Sequence, residues 1–269
     1  MRPTLTALES RDCPAVVPGV GYDAEYLRSL GFAFPESVSA VSITWRTDAA
    51  GNPVTDGPDV AVAGGPGDGP RVVVLNGAPR RLDPGEGALT TLREPDVLAS
   101  FSVPGFDPET YRGGLRLYTV MAHGGRFDSP GQTLVAAPAS RGAGSVVTEI
   151  PAGDPSAARP SLIFGDVWRG SFDLRVWDMT GDGHDDLIAL AGEGGAPRVV
   201  VRDGLSGETV SSFFAGPAEE RQTDLERYRL HWVGVQTYPG GPPTGLTVET
   251  PTGQVLFFAL DGTRAAPVP

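Results

Sequence analysis

The residues with the clearest chemical pattern lie in an acidic turn at positions 178–186, where oxygen donors recur at alternate positions. Ca²⁺ takes six to eight oxygen ligands in a flexible geometry, and a tight turn of this kind wraps one ion. Gly181 and Gly183 permit the backbone conformations that such a wrap requires. The pattern therefore predicts one structural Ca²⁺ site of moderate affinity, with a backbone carbonyl as the histidine's contribution. The predicted ligands are Asp178, Thr180, Asp182, His184 and Asp186.

A metal-free interpretation of the same turn stays open. Asp side chains also accept hydrogen bonds from nearby backbone amides in Asx-turns, with no metal involved. Thr180 stands where Asp or Asn would be a stronger ligand, which weakens the calcium interpretation. In either case we expect Asp185 to face solvent.

The other turns of the chain do not repeat this pattern. The nearest equivalent has Asp48 and Asp59 at a separation of 11 residues, where the acidic turn has eight between Asp178 and Asp186. The turn at 122–131 contains one carboxylate, Asp128, and the turn at 237–244 contains none. One intact loop in four indicates a degenerate array of sites.

Catalytic signatures are missing from the sequence. It contains three histidines, His123, His184 and His231, and no nucleophile elbow, zinc-protease motif or Walker A motif. The glycine clusters at 64–69 and 192–195 are expected between two strands of a hairpin, where they do not open a helix and cannot cradle phosphate. We expect His231 to pack within a strand. The sequence therefore predicts no enzyme, no catalytic residue and no organic cofactor.

Charge narrows the range of partners. The formal net charge is −12, from 21 Lys and Arg against 33 Asp and Glu, and no basic cluster offsets it. Such a field repels a phosphate backbone, so nucleic acid and anionic membranes are poor partners. No apolar run approaches the length of a membrane span. The single cysteine, Cys13, excludes an internal disulfide.

Internal repetition gives the strongest evidence on fold. Residues 59–77 align without a gap with residues 186–204, at an offset of 127, and nine of 19 positions are identical. Weaker copies begin near positions 133 and 244, so the unit is roughly 60 residues long. Together with 37 Gly and 26 Pro, this predicts many short strands joined by tight turns.

Each unit contains a series of strands. In the third copy they are predicted at 173–177, 187–191, 199–202 and 209–214, and runs such as Val72-Val73-Val74 suit strands buried on both faces. The sequence predicts an all-β, four-bladed β-propeller with blades near 40–103, 114–168, 172–215 and 228–262. A β-sandwich is the alternative, but it does not explain the repeat. We expect Trp45, Trp177 and Trp232 to pack in the core.

Residues 176–188, Val-Trp-Asp-Met-Thr-Gly-Asp-Gly-His-Asp-Asp-Leu-Ile, resemble the calcium-loop repeat of the FG-GAP/VCBS family, which also builds the integrin α-subunit head. The glycine-rich pattern at 192–204 continues the resemblance. It implies a β-propeller and a calcium loop, and it implies no single activity.

The N-terminus resembles an export leader. Residues 8–15, Leu-Glu-Ser-Arg-Asp-Cys-Pro-Ala, are similar to the leader of many exported, repeat-rich planctomycete proteins, although no ordinary signal peptide is present. This implies an extracellular or cell-surface protein, with residues 1–28 as a leader or N-terminal extension and residues 29–269 as the propeller.

Closure of the ring is predicted from the two ends of the chain. The fourth unit stops at Pro269, short of a full repeat, and residues 29–37 resemble the outer strands of other units. We therefore expect residues 30–34 to form a strand that pairs with residues 255–260 and completes the last blade, which hides two open strand edges. The alternative is that residues 30–34 are an apolar segment docked on the surface.

The combined interpretation is a monomeric, non-catalytic binding or structural module with an unidentified protein or polysaccharide ligand. A lectin-like domain is one alternative, with Tyr238 as the best candidate for an exposed sugar platform. A hydrolase with an unrecognised site in the central channel is another.

Overall fold

The computed structural model describes residues 24–34, 37–46, 54, 59–76, 96–120, 132–142, 144–223, 226–236 and 243–265. This part of the chain forms one short helix, α1 (Ala24–Ser29), one 3₁₀ turn and sixteen strands. The first two sheets contain β1 (Ser39–Ile43), β2 (Asp59–Ala63), β3 (Arg71–Leu75) and β4 (Val97–Ser102), then β5 (Leu115–Val120), β6 (Thr133–Pro138), β7 (Val146–Pro151) and β8 (Arg159–Leu162). The other two contain β9 (Phe172–Trp177), β10 (Asp186–Ala191), β11 (Arg198–Arg202) and β12 (Thr209–Phe214), then β13 (Arg229–Gln236), β14 (Pro243–Glu249), β15 (Val255–Ala259) and β16 (Arg264–Ala265).

Each sheet is a meander in which consecutive strands pair antiparallel. The all-β class and the four antiparallel sheets predicted from the sequence are confirmed. The four strands predicted for the third copy are each found within one residue of their expected bounds. No described helix is long and apolar enough to cross a membrane.

The central strands of each sheet are buried on both faces. Val72, Val73 and Val74 of β3 are fully buried. Residues 60–63 of β2 are at most 2 % exposed. Burying a side chain of this size contributes about 1.5–3 kcal/mol. The nearly continuous apolar runs therefore belong to strands that are covered on both faces, as the sequence predicted.

Successive sheets share apolar cores in chain order. Sheets one and two pack through residues such as Ile43 and Leu134, sheets two and three through Val135 and Leu187, and sheets three and four through residues of β11 and β15. The first strands lie side by side, β1 against β5, β5 against β9, and β9 against β13. The sheets therefore follow one another with their first strands on a common side.

The residues shared by the two best repeats have matching roles. Asp59 and Asp186 are fully buried, and each carboxylate accepts backbone N–H groups from the turn after the preceding strand. Arg71 and Arg198 each donate from Nε to a serine on the outer strand, at 2.9 Å in both sheets. The repeat is thus preserved where side chains hold one strand to the next.

Two loop glycines of the repeat are required by close backbone approach. A β-carbon at Gly65 would lie 2.3 Å from the carbonyl oxygen of Ser37, just before β1. One at Gly192 would lie 3.2 Å from the carbonyl oxygen of Ser171, just before β9, and 2.8 Å from the Oγ of the same serine. Any larger residue would push the hairpin loop away from the strand beside it.

The predicted closure by residues 30–34 is wrong. These residues form no strand, and β15 pairs instead with β16, from the chain's own C-terminal end. The expectation that the fourth unit lacks an outer strand is therefore also wrong. A short return after the turn at 260–263 is enough to supply it, and the sequence comparison missed this strand because it has two residues.

The N-terminal segment covers a sheet face. Tyr26 and Leu27 of α1, together with Phe32, pack on the face of sheet one that carries Val62 and Val73. Backbone contacts secure the segment, since Ala33 N–H donates to Asp68 and Leu30 C=O accepts from Arg71. The apolar residues of this segment were correctly singled out, but they bury a face and do not extend an edge. The predicted leader at 8–15 lies outside the described residues.

Candidate functional site

The acidic turn joins the first two strands of sheet three. β9 ends at Trp177 and β10 begins at Asp186, and these two residues are register partners, so the intervening chain must turn back within eight residues. Gly181 and Gly183 have φ of +78° and +87°, the left-handed region that glycine enters without strain. The turn therefore has the compact shape that the sequence predicted.

Asp186 is buried and accepts backbone hydrogen bonds from the turn. Its Oδ2 accepts the N–H groups of Met179 (2.8 Å) and Thr180 (2.9 Å), and its Oδ1 accepts that of Gly204 (3.0 Å). The side chain is fully buried. Burial raises the pKa of this carboxyl, and the three N–H donors oppose that shift because they stabilise the ionised form.

Asp178 and Asp182 shape the exposed part of the turn. Asp178 accepts the N–H of Gly181 through Oδ1 at 2.7 Å and that of Gly183 through Oδ2 at 3.0 Å. Asp182 accepts the N–H of His184 at 2.8 Å. These are the local side chain-to-amide bonds of the metal-free interpretation.

The fit of this turn to Ca²⁺ depends on how many carboxylate lone pairs are not already used by hydrogen bonds to the backbone. An ionised carboxylate has about four lone-pair sites. The hydrogen bonds within the described residues use two of these lone-pair sites on Asp178, one on Asp182 and three on Asp186. Within that part of the chain, no three Asp, Glu, His or Cys side chains converge as a metal site would require. The turn thus offers two carboxylates to an ion, with Asp186 committed to the backbone.

Asp185 is not exposed as expected. Its exposure is 6 %, and a β-carbon at Gly204 would lie 1.9 Å from the carbonyl oxygen of Asp185, so the chain after β11 closes tightly over it. No sequence pattern indicates this contact, because it joins two turns 19 residues apart.

Other residues singled out from the sequence are scattered. His184 is half-buried in the acidic turn, and His231 is 40 % exposed on its strand, with Nδ1 3.5 Å from a Glu249 carboxylate oxygen. His231 therefore lies in the expected strand without the expected packing. Trp45 is in the core at 5 % exposure, but Trp177 is 48 % exposed because it is the last residue of β9, where the sheet ends.

Several predicted features lie outside the described residues. They are Asp48, the turn at 122–131 with His123 and Asp128, the turn at 237–242 with Tyr238, and the side chain of Trp232.

A second candidate site, which the sequence interpretation missed, lies between sheets two and three. It is an open cleft of about 340 Å³ at the end of the sheets away from the acidic turn. The side chains that form it belong to the linker between the sheets and to the two adjacent hairpin loops. They are Arg141, Phe164, Val167, Trp168, Arg169 and Glu193.

Trp168 is the centre of this cleft. A β-carbon at Gly195 would lie 2.1 Å from two carbons of its benzo ring, and one at Gly170 would lie 2.5 Å from a third. Phe164 packs against the indole at a centroid distance of 5.3 Å. The indole is thus seated on glycine backbone, and its buried Nε1 has no acceptor within the described residues.

Next to Trp168 lies a backbone hydrogen bond that recurs in three sheets. In three sheets, a glycine of the hairpin loop donates its N–H to a carbonyl of the linker that leads to the next sheet. The pairs are Gly67 with Arg112 (2.7 Å), Gly142 with Arg169 (3.2 Å) and Gly194 with Gln222 (3.1 Å). The linkers share an aromatic-Arg-Gly triplet at 111–113 and 168–170, a signal that the sequence contained.

Comparison of the chain with protein-family models, with curated proteins and with solved structures found no match. The resemblance of residues 176–188 to the FG-GAP/VCBS repeat therefore stays a prediction made from those residues.

Proposed function

We propose that the four sheets are the blades of a four-bladed β-propeller, which acts as a non-catalytic binding or structural module. The observation that carries the proposal is the order of the first strands, with β1, β5, β9 and β13 adjacent in sequence order. Radial arrangement of four meanders produces this order, because each inner strand then faces its neighbours around one axis.

A crystal structure of the full chain tests the architecture. We expect four sheets around one axis, with sheet four facing sheet one directly or through the N-terminal segment. Two stacked sheets with aligned strands would overturn the propeller.

The non-catalytic part of the proposal is supported by the surroundings of the described histidines. His184 lies beside acidic residues of a turn, and His231 lies next to Glu249 at an exposed position on the surface of its strand. A panel of chromogenic esters and glycosides tests it, and we expect no turnover above that of heat-treated protein. The competing function is a hydrolase in the central channel, and reproducible turnover that saturates with substrate would establish it.

Calcium is the proposed structural ion of the acidic turn. The support is the spacing of Asp178, Thr180 and Asp182 with the His184 carbonyl, together with the amide bonds that wrap the turn. With Asp186 holding the turn from inside, the two outer carboxylates would carry most of the charge, so the affinity is expected to be weak.

An extracellular or cell-surface location is proposed from the leader-like residues 8–15. Digestion of intact source cells with an added protease tests it. We expect the protein to be degraded or found in the medium, and full protection until the cells are lysed would contradict an external location.

A further inference from the structure

We propose that the Trp168 cleft is a saccharide-binding site, in which a sugar ring lies against Trp168 and its polar edge meets Arg141 and Glu193. The proposal deepens the binding role proposed above and rests on it. It gives that role a specific site and a class of ligand.

The shape of the cleft suits a ligand of this size. Its volume of about 340 Å³ is at the lower end of the range for small-molecule sites, about 300–1,000 Å³. That is suitable for a mono- or disaccharide. Val167, 85 % exposed, forms an apolar lip beside the indole. An aliphatic side chain in such an exposed position gains from being covered by the apolar C–H face of a sugar.

The polar groups distinguish between ligand classes. Arg141 and Glu193 form an ion pair across the cleft, with side-chain exposures of 63 % and 17 %. A sugar hydroxyl both donates and accepts, so it can bond to the guanidinium and to the carboxylate together. A purely apolar ligand would desolvate the pair without replacing its bonds to water, so a hydroxyl-rich ring fits this cleft better than an apolar one.

Comparison with the preceding linker shows what is special about Trp168. Tyr111 occupies the equivalent place before sheet two and packs on Phe106 at 4.9 Å, as Trp168 packs on Phe164. The hydroxyl of Tyr111 donates to the carbonyl of Gly114 at 2.7 Å, so its polar atom is satisfied internally. The N–H of Trp168 is buried and has no such acceptor within the described residues, so the two linkers differ in how the polar atom of the aromatic side chain is placed.

A defined panel of immobilised saccharides identifies the ligand. The panel contains neutral hexoses, N-acetylhexosamines and uronic acids, each as mono- and disaccharides. The methyl glycoside of the best-bound sugar is then titrated into the full-length protein by calorimetry. We expect saturable binding to at least one sugar.

Three variants locate the site. Trp168→Ala is expected to weaken binding at least about tenfold, because it removes the stacking surface. Val167→Asp and Arg141→Ala alter exposed side chains, so they leave the melting temperature unchanged and decide the question even if Trp168→Ala does not fold. Trp177→Ala is the matched control, because it removes an exposed indole from the opposite end of β9 and should leave the affinity within about twofold of wild type.

Either of two results overturns the proposal. One is no binding to any sugar of the panel at millimolar concentration. The other is equal affinity of the wild type, Val167→Asp and Arg141→Ala. Neither result affects the propeller or the non-catalytic role, because the crystal structure and the substrate panel test those separately.

Discussion

Asp186 and Asp59 show how a buried carboxylate is used twice in this chain. Each is the first residue of the second strand of its sheet and is fully buried. A charge without partners would be very costly there, so each is surrounded by donors, three N–H groups for Asp186 and two N–H groups plus Arg46 for Asp59. The residue most easily taken for a metal ligand is thus also the residue that holds its turn.

The first prediction concerns this role of Asp186. Replacing it with alanine leaves the N–H groups of Met179, Thr180 and Gly204 without their acceptor. We expect Asp186→Ala to lower the free energy of unfolding by about 2–4 kcal/mol, measured by urea denaturation. Asp182→Ala is the control, because Asp182 is exposed and accepts one N–H, and its effect should stay below about 1 kcal/mol. Equal effects of the two changes would show that Asp186 has no special structural role.

The second prediction concerns calcium. An ion that binds only the folded state stabilises it by RT ln(1 + [Ca²⁺]/Kd), about 2.7 kcal/mol at 100 times Kd. We expect the melting temperature to rise with Ca²⁺ concentration, by several degrees once the ion is in about 100-fold excess over Kd, and to fall again with chelator. Mg²⁺ should substitute poorly, since it requires a smaller octahedral site.

The variants separate the two interpretations of the turn. Asp182→Ala should abolish the response to Ca²⁺ and leave the fold intact, whereas Asp186→Ala should destabilise the protein with or without the ion. Identical melting of the wild type in Ca²⁺ and in chelator, with no heat of binding, would establish the turn as a metal-free Asx structure.

At the scale of elements, the N-terminal segment covers an apolar sheet face, as a neighbouring sheet would. The face of sheet one that carries Val60, Val62, Val73 and Leu75 is covered by α1 and the residues after it. A helix of six residues is too short to be stable alone, so it is held by this packing. The segment and the sheet face therefore depend on each other.

The third prediction tests this dependence. Leu27 is 3 % exposed against the sheet, and its replacement by alanine should cost about 2–5 kcal/mol in the free energy of unfolding. Arg28→Ala, at the neighbouring exposed position, should change it by less than about 0.5 kcal/mol. If chemical denaturation shows no difference between the two variants, the segment does not pack as described.

At the scale of the whole molecule, the sheets are joined by shared cores and by backbone bonds between loops. Three core clusters each contain residues from two successive sheets, and a glycine N–H in three hairpin loops reaches the linker to the next sheet. Loss of one sheet would expose the apolar face of its neighbour.

The fourth prediction follows from this coupling. Unfolding in urea should give one transition, at the same midpoint by tryptophan fluorescence and by far-ultraviolet circular dichroism. The control is Leu246→Ala in the core between sheets three and four, where the residue is fully buried, and it should shift both signals together. Separate midpoints for the two probes would mean that the sheets unfold as independent units.

The sequence by itself determined the all-β class, the repeat and nearly all strand bounds of the third sheet. These features depend on local patterns, such as Val72-Val73-Val74 and the glycines of the hairpin loops, which each strand carries wherever it lies. The acidic turn was located for the same reason, because its residues are close in sequence.

Only the tertiary structure decided which oxygens of the turn bind backbone and how the N-terminal segment packs. Asp186 meets Gly204 and Phe32 meets sheet one across long stretches of chain, and no local pattern encodes those contacts. The Trp168 cleft depends on the same kind of contact, because Arg141 and Glu193 approach each other from hairpins of two different sheets. Sequence spacing reports neighbours along the chain, whereas these sites are made by the packing of one sheet against the next.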